Sequence, residues 1–421
     1  MNFPSFRSLF ERAALASLTG AVLAATAVGA DWPQWRGIAR DGITTDPLPA
    51  QFAAQAAPMW RQPVGHAYAS PVVAGNRVIV FEEVGNQESA RCLDRTSGTT
   101  LWKTAIGEAY TDEFEPGPRC TPLIDGELVF FQTCRGEFQC RSVADGILKW
   151  RFDFKDYGMV WIEDKSGGPG AASRRGNSGA AVIDGDRIFI QIGSADGASI
   201  GAFDKRSGKL LWKSQNDLTT YSSLMAGTLA GKRQIVSATC EGLLALATLD
   251  GSVLWRVPFK TGANRNVLTP ILDGDTVIFA SHTTGLQAQH ISPVGVDSPA
   301  LKADSLWFNR QIKINLGTPV LWKGHLYGHG ENRNFVCVDA SNGKLNWNQP
   351  GFGAVTSTLA SGDRLLALTD GGEALLLAAN PERYEEIGRM QVCGKTFSHP
   401  AYSDGILFVR DSRELSAWKL R

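Results

Sequence analysis

Three arginines, Arg119, Arg175 and Arg265, stand in the polar stretches "EAYTDEFEPGPRC", "VWIEDKSGGPGAASRRGNS" and "TGANRNVLT", each just ahead of an apolar run. A guanidinium is a planar fork of donors suited to a carboxylate or a phosphate. Tyr68 and Tyr221, in the comparable stretches "GHAYAS" and "TTYSS", offer rings that can stack beside such a group. His66, Asn177, Asn266 and His399 occupy equivalent places. If these stretches converge, they form a pocket for an anionic or polar ligand, or a surface for a protein partner; the same residues would equally line a water-filled mouth. Trp161 lies in the longest stretch, where it could cap that mouth or anchor a partner, because loops of such length are commonly lids or binding surfaces.

Other groupings carry less chemistry. His325 and His329 in "HLYGH" have the four-residue spacing of a helical metal site, but the stretch reads as a strand, on which the rings need not meet. "SGGPGAASRRG" lacks the strand-to-helix context of a phosphate loop, and the "DGD" triplets read as hairpin turns, not calcium loops. No metal site is expected, and no Ser/His/Asp set assembles from sequence order. Seven cysteines in 421 residues are too scattered for a disulfide scaffold, although Cys134 and Cys140 could meet across a hairpin. Cys92, Cys140 and Cys337 share one repeat position with Ala202 and Ala245, which marks a slot for a small residue.

That repeat supplies the elements that must hold the polar stretches. Five copies place a Trp four residues after a Gly: Gly98/Trp102, Gly146/Trp150, Gly208/Trp212, Gly251/Trp255 and Gly343/Trp347. Asp94, Asp204 and Asp339 stand four residues before the Gly in three of them. The spacing describes a strand, a turn closed by Gly and a new strand carrying Trp, in which the Trp cements neighbouring units and has no catalytic part. Upstream of each copy lie two apolar runs around a tight turn, as in "PVVAGNRVIVF" and "AVIDGDRIFI", which are β-hairpins. The turn glycine returns at Gly75, Gly126, Gly185, Gly231, Gly274, Gly324, Gly362 and Gly405. Eight hairpins at this period predict an all-β fold, an eight-bladed propeller of four-stranded antiparallel blades.

A propeller must close its ring or leave a sheet edge bare. The final unit, "PAYSDGILFVRDSRELSAWKLR", has room for three strands, while "PMWRQPV" near the start places Trp60 in the repeat's Trp position with no hairpin before it. The N-terminal strand around Trp60 should therefore complete the last blade. Two units are worn: the fifth delays its Trp to Trp307, and the seventh lacks one.

Bulk properties narrow the function. Forty-two acidic and forty-two basic side chains cancel, so no charge footprint for nucleic acid exists. Arg7 and Arg12, an Ala/Leu-rich run and "AVGA" read as a signal peptide over residues 1–30 with cleavage near Ala30, the other reading being an N-terminal anchor. The expected plan is this signal, a leader over 31–57 and one propeller over 58–421, without a span in the mature chain, monomeric, and periplasmic or secreted.

The pattern A-x-D-x-x-x-G-x-x-x-W resembles the tryptophan-docking motif of the pyrroloquinoline quinone (PQQ) repeat, and "DWPQWRGIARDG" (31–42) is similar to the leader of exported bacterial PQQ-like propellers. The resemblance implies an eight-bladed propeller outside the cytoplasm. In its quinoprotein dehydrogenase branch the ring carries PQQ over calcium, between a Trp and a disulfide of adjacent cysteines; this chain has no adjacent cysteines. Its outer-membrane assembly branch is a lipoprotein with an L-x-L-R-G-x-S docking loop. "ASRRGNS" keeps Arg175, Gly176 and Ser178 but has Ala172 and Arg174 for the leucines, and no lipid-bearing Cys follows the signal. The expectation is a non-enzymatic binding or scaffold protein with no bound cofactor, with a PQQ- and calcium-dependent dehydrogenase and an assembly factor as the alternatives.

Overall fold

The computed structural model describes residue 1 and residues 31–112, 116–160, 176–261, 265–295 and 300–421. The expected signal peptide therefore lies outside the described residues. Eight four-stranded antiparallel sheets follow one another as the blades of a propeller. Blade one runs from its inner strand Val72–Ala74 through Arg77–Val84 and Gln87–Asp94 to the outer strand Thr100–Glu108. All eight predicted turn glycines fall between the inner and second strands with positive φ, from 54° to 79°.

The ring closes as the chain ends require. Trp60–Pro63 is the outer strand of blade eight, pairing antiparallel with Glu414–Lys419 and setting Trp60 opposite Ala417. Ala417 fills the small slot that Cys92, Cys140, Cys337, Ala202 and Ala245 fill opposite the other tryptophans. A second seam reinforces the joint: buried Arg410 of blade eight donates to the carbonyls of Phe81, at 3.1 Å, and Gly65. All seven cysteines are free and buried. Cys140 lies in a strand paired to Phe130, whereas Cys134 belongs to the turn before it, so the two thiols do not bridge.

The docking motif joins blade to blade in one direction. Trp60 donates its indole N–H to the Arg95 carbonyl at 2.9 Å, Trp102 to Val143 at 2.9 Å, Trp150 to Lys205 at 3.2 Å and Trp212 to Thr248 at 3.1 Å, each in the following blade. The glycine against each ring is also the next blade's: Gly98 lies on Trp60, Gly146 on Trp102, Gly208 on Trp150 and Gly251 on Trp212. The Gly and Trp of one motif therefore serve opposite joints. At Gly98 a Cβ would stand 2.6 Å from the Trp60 ring, and φ is +72°, so only glycine fits without strain. Asp94 accepts from the N–H groups of Thr96 and Ser97 at 3.0 and 2.8 Å, and the same bond recurs from Ser207 to Asp204 and from Ser341 to Asp339. These Asx turns present the glycine to its neighbour's indole.

Two of the five predicted docking tryptophans, Trp255 and Trp347, depart from this pattern, because the blade that follows each of them is a worn one. Trp255 has no motif turn ahead of it and donates to Gln234 of its own blade at 2.6 Å, while Ile291 and Leu301 of blade five's long hairpin join its cluster. Trp307 then docks on Gly343 and Ala340 of blade six. Gly343 follows the rule of the other motif glycines and receives Trp307 of the blade before it, while Trp347 faces blade seven, whose turn "ANPERYEE" has no glycine to offer. Trp347 is half-buried there, edge-on to the Tyr384 ring with centroids 5.9 Å apart, and its indole donates to the Asn380 carbonyl at 2.9 Å. Tyrosine replaces the flat glycine face, while the carbonyl acceptor is kept. In blade seven itself Gly388 stands at the Trp position, and Phe52 of the leader lies 3.7 Å from where its Cβ would be.

A second set of joints rings the channel where the inner strands begin. The backbone N–H of His399 donates to Ser70 Oγ (2.9 Å), Ser70 to Thr121 Oγ1 (3.1 Å), Ala180 to Ser223 Oγ (3.1 Å), Ser223 to Thr269 Oγ1 (3.0 Å) and Thr269 to Thr318 Oγ1 (3.2 Å). Each hydroxyl satisfies the buried amide of the blade before it.

Trp60→Ala should lower stability by about 3–5 kcal/mol in chemical denaturation, the range for deleting a buried large aromatic. Thr269→Val, which leaves the Ser223 amide unpaired, should cost about 1–3 kcal/mol.

Candidate functional site

The polar stretches lead into the inner strands on one face, the mouth face; the inner hairpin turns and docking turns lie on the other, the hairpin face. The described candidates come together in neighbouring groups. Tyr68 packs against Phe397 with centroids 5.6 Å apart, linking blades one and eight. His66 bridges Glu83 through its backbone, and His399 sits at the start of the inner strand of blade eight. Tyr221 donates its N–H to the Asn266 carbonyl at 3.1 Å, joining blades four and five, and Arg265 donates to Asn315 of blade six at 3.0 Å. Asn177 donates to the Cys134 carbonyl, joining blades three and two. Trp161 and Arg175 lie outside the described residues.

Arg119 is the best-defined group. It forks onto both oxygens of Asp112 at 3.0 and 2.9 Å and lies 5.4 and 5.7 Å from the ring centroids of Tyr68 and Tyr110. A guanidinium held in this way, its charge matched by Asp112 and both side chains nearly buried, fixes the mouth loop of blade two. Beneath it lies a buried carboxyl that sequence reasoning missed. Glu88 is fully buried, and its two oxygens accept the Cys134 N–H at 3.3 and 3.2 Å. Burial pushes Glu88 up to about 8, although Cys134, Arg119 and Arg135 pull it down. Burial, and then Glu88 itself, hold the Cys134 thiol well above its ordinary value, so it stays protonated. A strand-embedded Glu in an alternating run resembles an outward-facing one, so nothing in the sequence signalled its burial.

The axis is filled by the leader. Trp35 meets His399 edge-on at 5.4 Å, and Arg36 and Arg40 reach the carbonyls at the mouth ends of the inner strands of blades six and three. Burial, then the Arg36 charge, pushes His399 down to about 3, leaving it neutral. A PQQ-sized group does not fit this axis while these side chains occupy it, and among the described residues no three His, Cys, Asp or Glu converge to hold a metal ion. Two cavities open instead on the hairpin face. One, of about 810 Å³, lies between the leader and blades one and two, with Ile38, Arg77, Leu101 and Asp125 in its wall. The other, of about 360 Å³, lies beside Asp46, Met59 and Asp404.

Glu88 makes stability depend on pH with a definite sign. Its carboxyl has an ordinary value of 4.5 and keeps its proton to about 8 when folded, so the folded state binds more protons between these limits and loses stability as pH rises through them. Glu88→Gln should remove this slope: thermal midpoints of variant and parent should diverge in the variant's favour across that interval, and parallel curves would contradict the assignment.

Comparison with known proteins agrees with this architecture. The family described as Outer membrane protein assembly factor BamB matches residues 50–191 and 155–387. BamB from Moraxella catarrhalis superposes with a TM-score of 0.57 at 14% identity, covering 87% of this chain and 98% of that one. The computationally designed Ika8 protein gives 0.56 at 11% identity, covering 89% and 100%. A europium-containing methanol dehydrogenase gives 0.46 at 11% identity, covering 92% and 90%. No curated protein matches the chain. At these identities the solved structures bear on the fold, whereas the family match spans most of the sequence: the chain belongs to the PQQ-like β-propeller family described as Outer membrane protein assembly factor BamB.

Proposed function

We propose that this protein is an exported propeller that acts as a binding or scaffold protein in the cell envelope, without catalysis, taking a protein partner or a small polar ligand on its mouth face. The observation that carries this reading is the occupied axis. With Trp35, Arg36 and Arg40 seated between the inner strands, what the ring offers other molecules is its rim. There His66, Tyr68, Arg119, Tyr221 and Arg265, with Trp161 and Arg175 of the long loop, would make the contacts, while Asn177, Asn266 and His399 are buried among them. The signal-like residues 1–30 support export, and no helix of the described residues is long and apolar enough to cross a membrane.

A second reading, an outer-membrane protein assembly factor, is favoured by the description of the matching family. It differs in its partner, an envelope assembly machine, and in its readout: deletion should lower the levels of outer-membrane proteins.

Two measurements test the main reading. The protein incubated with PQQ and calcium and then freed of excess by gel filtration should retain no quinone absorption band and no stoichiometric calcium. A photo-cross-linking residue at Tyr221, on the mouth face, should give discrete adducts in the native envelope, while one at Leu249, 72% exposed on the hairpin face, should not. A bound quinone, or adducts confined to Leu249, would overturn the proposal.

A further inference from the structure

Residues 31–48 contribute no strand to any blade and make only two isolated bridges, Trp32 to Val73 and Ile43 to Ala360. Yet they are bonded around much of the ring. Asp31 accepts from the Gly75 N–H of blade one at 2.9 Å, Pro33 from Ile124 of blade two at 2.8 Å, Gly42 from Ala360 of blade seven at 2.9 Å, and Pro47 from the Tyr402 hydroxyl of blade eight at 2.8 Å. Arg36 donates to the Thr318 and Pro319 carbonyls of blade six at 2.5 and 2.8 Å; Arg40 donates to the Ala181 and Ala180 carbonyls of blade three at 2.7 and 3.2 Å. A segment with these partners must cross the axis.

The manner of holding is unlike core packing. Arg36 and Arg40 are only 1% and 4% exposed, and their forks are spent on neutral carbonyls. Burying a guanidinium in this way removes its hydration without supplying a paired charge, and burial lowers both to about 10, against the pull of Asp41 on Arg36 and Cys120 on Arg40. Both residues have φ of 61°, a left-handed backbone that is strained in a non-glycine residue and gathers at ligand clamps. Their Nε groups have no hydrogen-bond partner among the described residues. The Trp35 ring lies 5.4 and 5.8 Å from the two guanidiniums. Trp32 and Leu48 of the same segment are buried in the hydrophobic core, at 2% and 7% exposed, but Arg36 and Arg40 are held differently, each cation on backbone carbonyls and each on a left-handed backbone.

We propose that the axial channel is a binding site for a turn-forming peptide bearing a Trp followed by two arginines four residues apart, and that residues 31–48 occupy it in cis. The receptor consists of two carbonyl cups, Thr318/Pro319 and Ala180/Ala181, whose paired acceptors suit the guanidinium fork better than a lysine ammonium. The tether back to the ring is accessible, since Gln51, Ala53, Ala54, Gln55 and Ala57 are exposed. A partner presenting such a peptide at the hairpin face would displace the leader. This site meets the mouth face where Trp35 packs against His399, and exchange of the leader and cross-linking at Tyr221 report on the two proposals separately.

The test inserts a site-specific protease sequence between Ala54 and Gln55 of the otherwise intact protein. After cleavage the leader fragment should remain bound in native mass spectrometry and exchange with a fluorescent synthetic peptide of residues 31–48, read by polarisation. A peptide carrying R36Q and R40Q should compete at least roughly tenfold more weakly, the loss expected for two charge-assisted forks. The proposal is overturned if the fragment never exchanges, if the substituted peptide competes equally, or if the cleaved ring unfolds as the fragment leaves.

Discussion

Five blades of this ring, the first, second, third, fifth and eighth, end in a strand whose tryptophan is covered by a glycine turn of the blade that follows. The indole needs a flat apolar surface and a carbonyl for its N–H, and the neighbouring blade supplies both through a tight turn. A four-stranded sheet alone would expose that ring and leave its amphipathic face wet, so stability is reached only when the last neighbour is the first. The pairing of Trp60 with Ala417 meets this need: a strand from the start of the chain lends its indole to blade one and its edge to blade eight.

The repeat was legible because its determinants are local. A turn Gly, a capping Asp and a Trp at fixed offsets specify the same joint wherever they occur, and the blade count, hairpins and closure followed. What could not be read was which glycine meets which indole, since that pairing crosses from one unit to the next. Trp347 shows the consequence, for its partner Tyr384 sits in a turn that bears no trace of the motif. The repair at Gly388 was equally opaque: Phe52 lies far from it in sequence, and nothing in either residue marks the other.

The mouth was legible in outline. The loops named from sequence do surround the inner strands, and several of the named side chains bridge adjacent blades. Asp112, Glu88 and the ring of hydroxyls were not foreseen, although a Ser or Thr ahead of Pro in "ASPVV", "CTPLI", "LTPIL" and "GTPVL" was a signal available to be used. The leader's arginines give no sign of their burial in the sequence, because a basic residue near a terminus ordinarily reads as solvated surface. Buried cations escape sequence reasoning because the carbonyls that shelter them carry no side-chain signature.

The leader also fixes an order of events. Arg36 bonds a residue 282 positions away, and Pro47 one 355 positions away. The leader thus has no home until almost the last of the chain has been made, and closing such long loops is slow. The segment that seals the toroid therefore stays unstructured while most of the chain is made, and the barrier to premature compaction is written into the distance between its two ends.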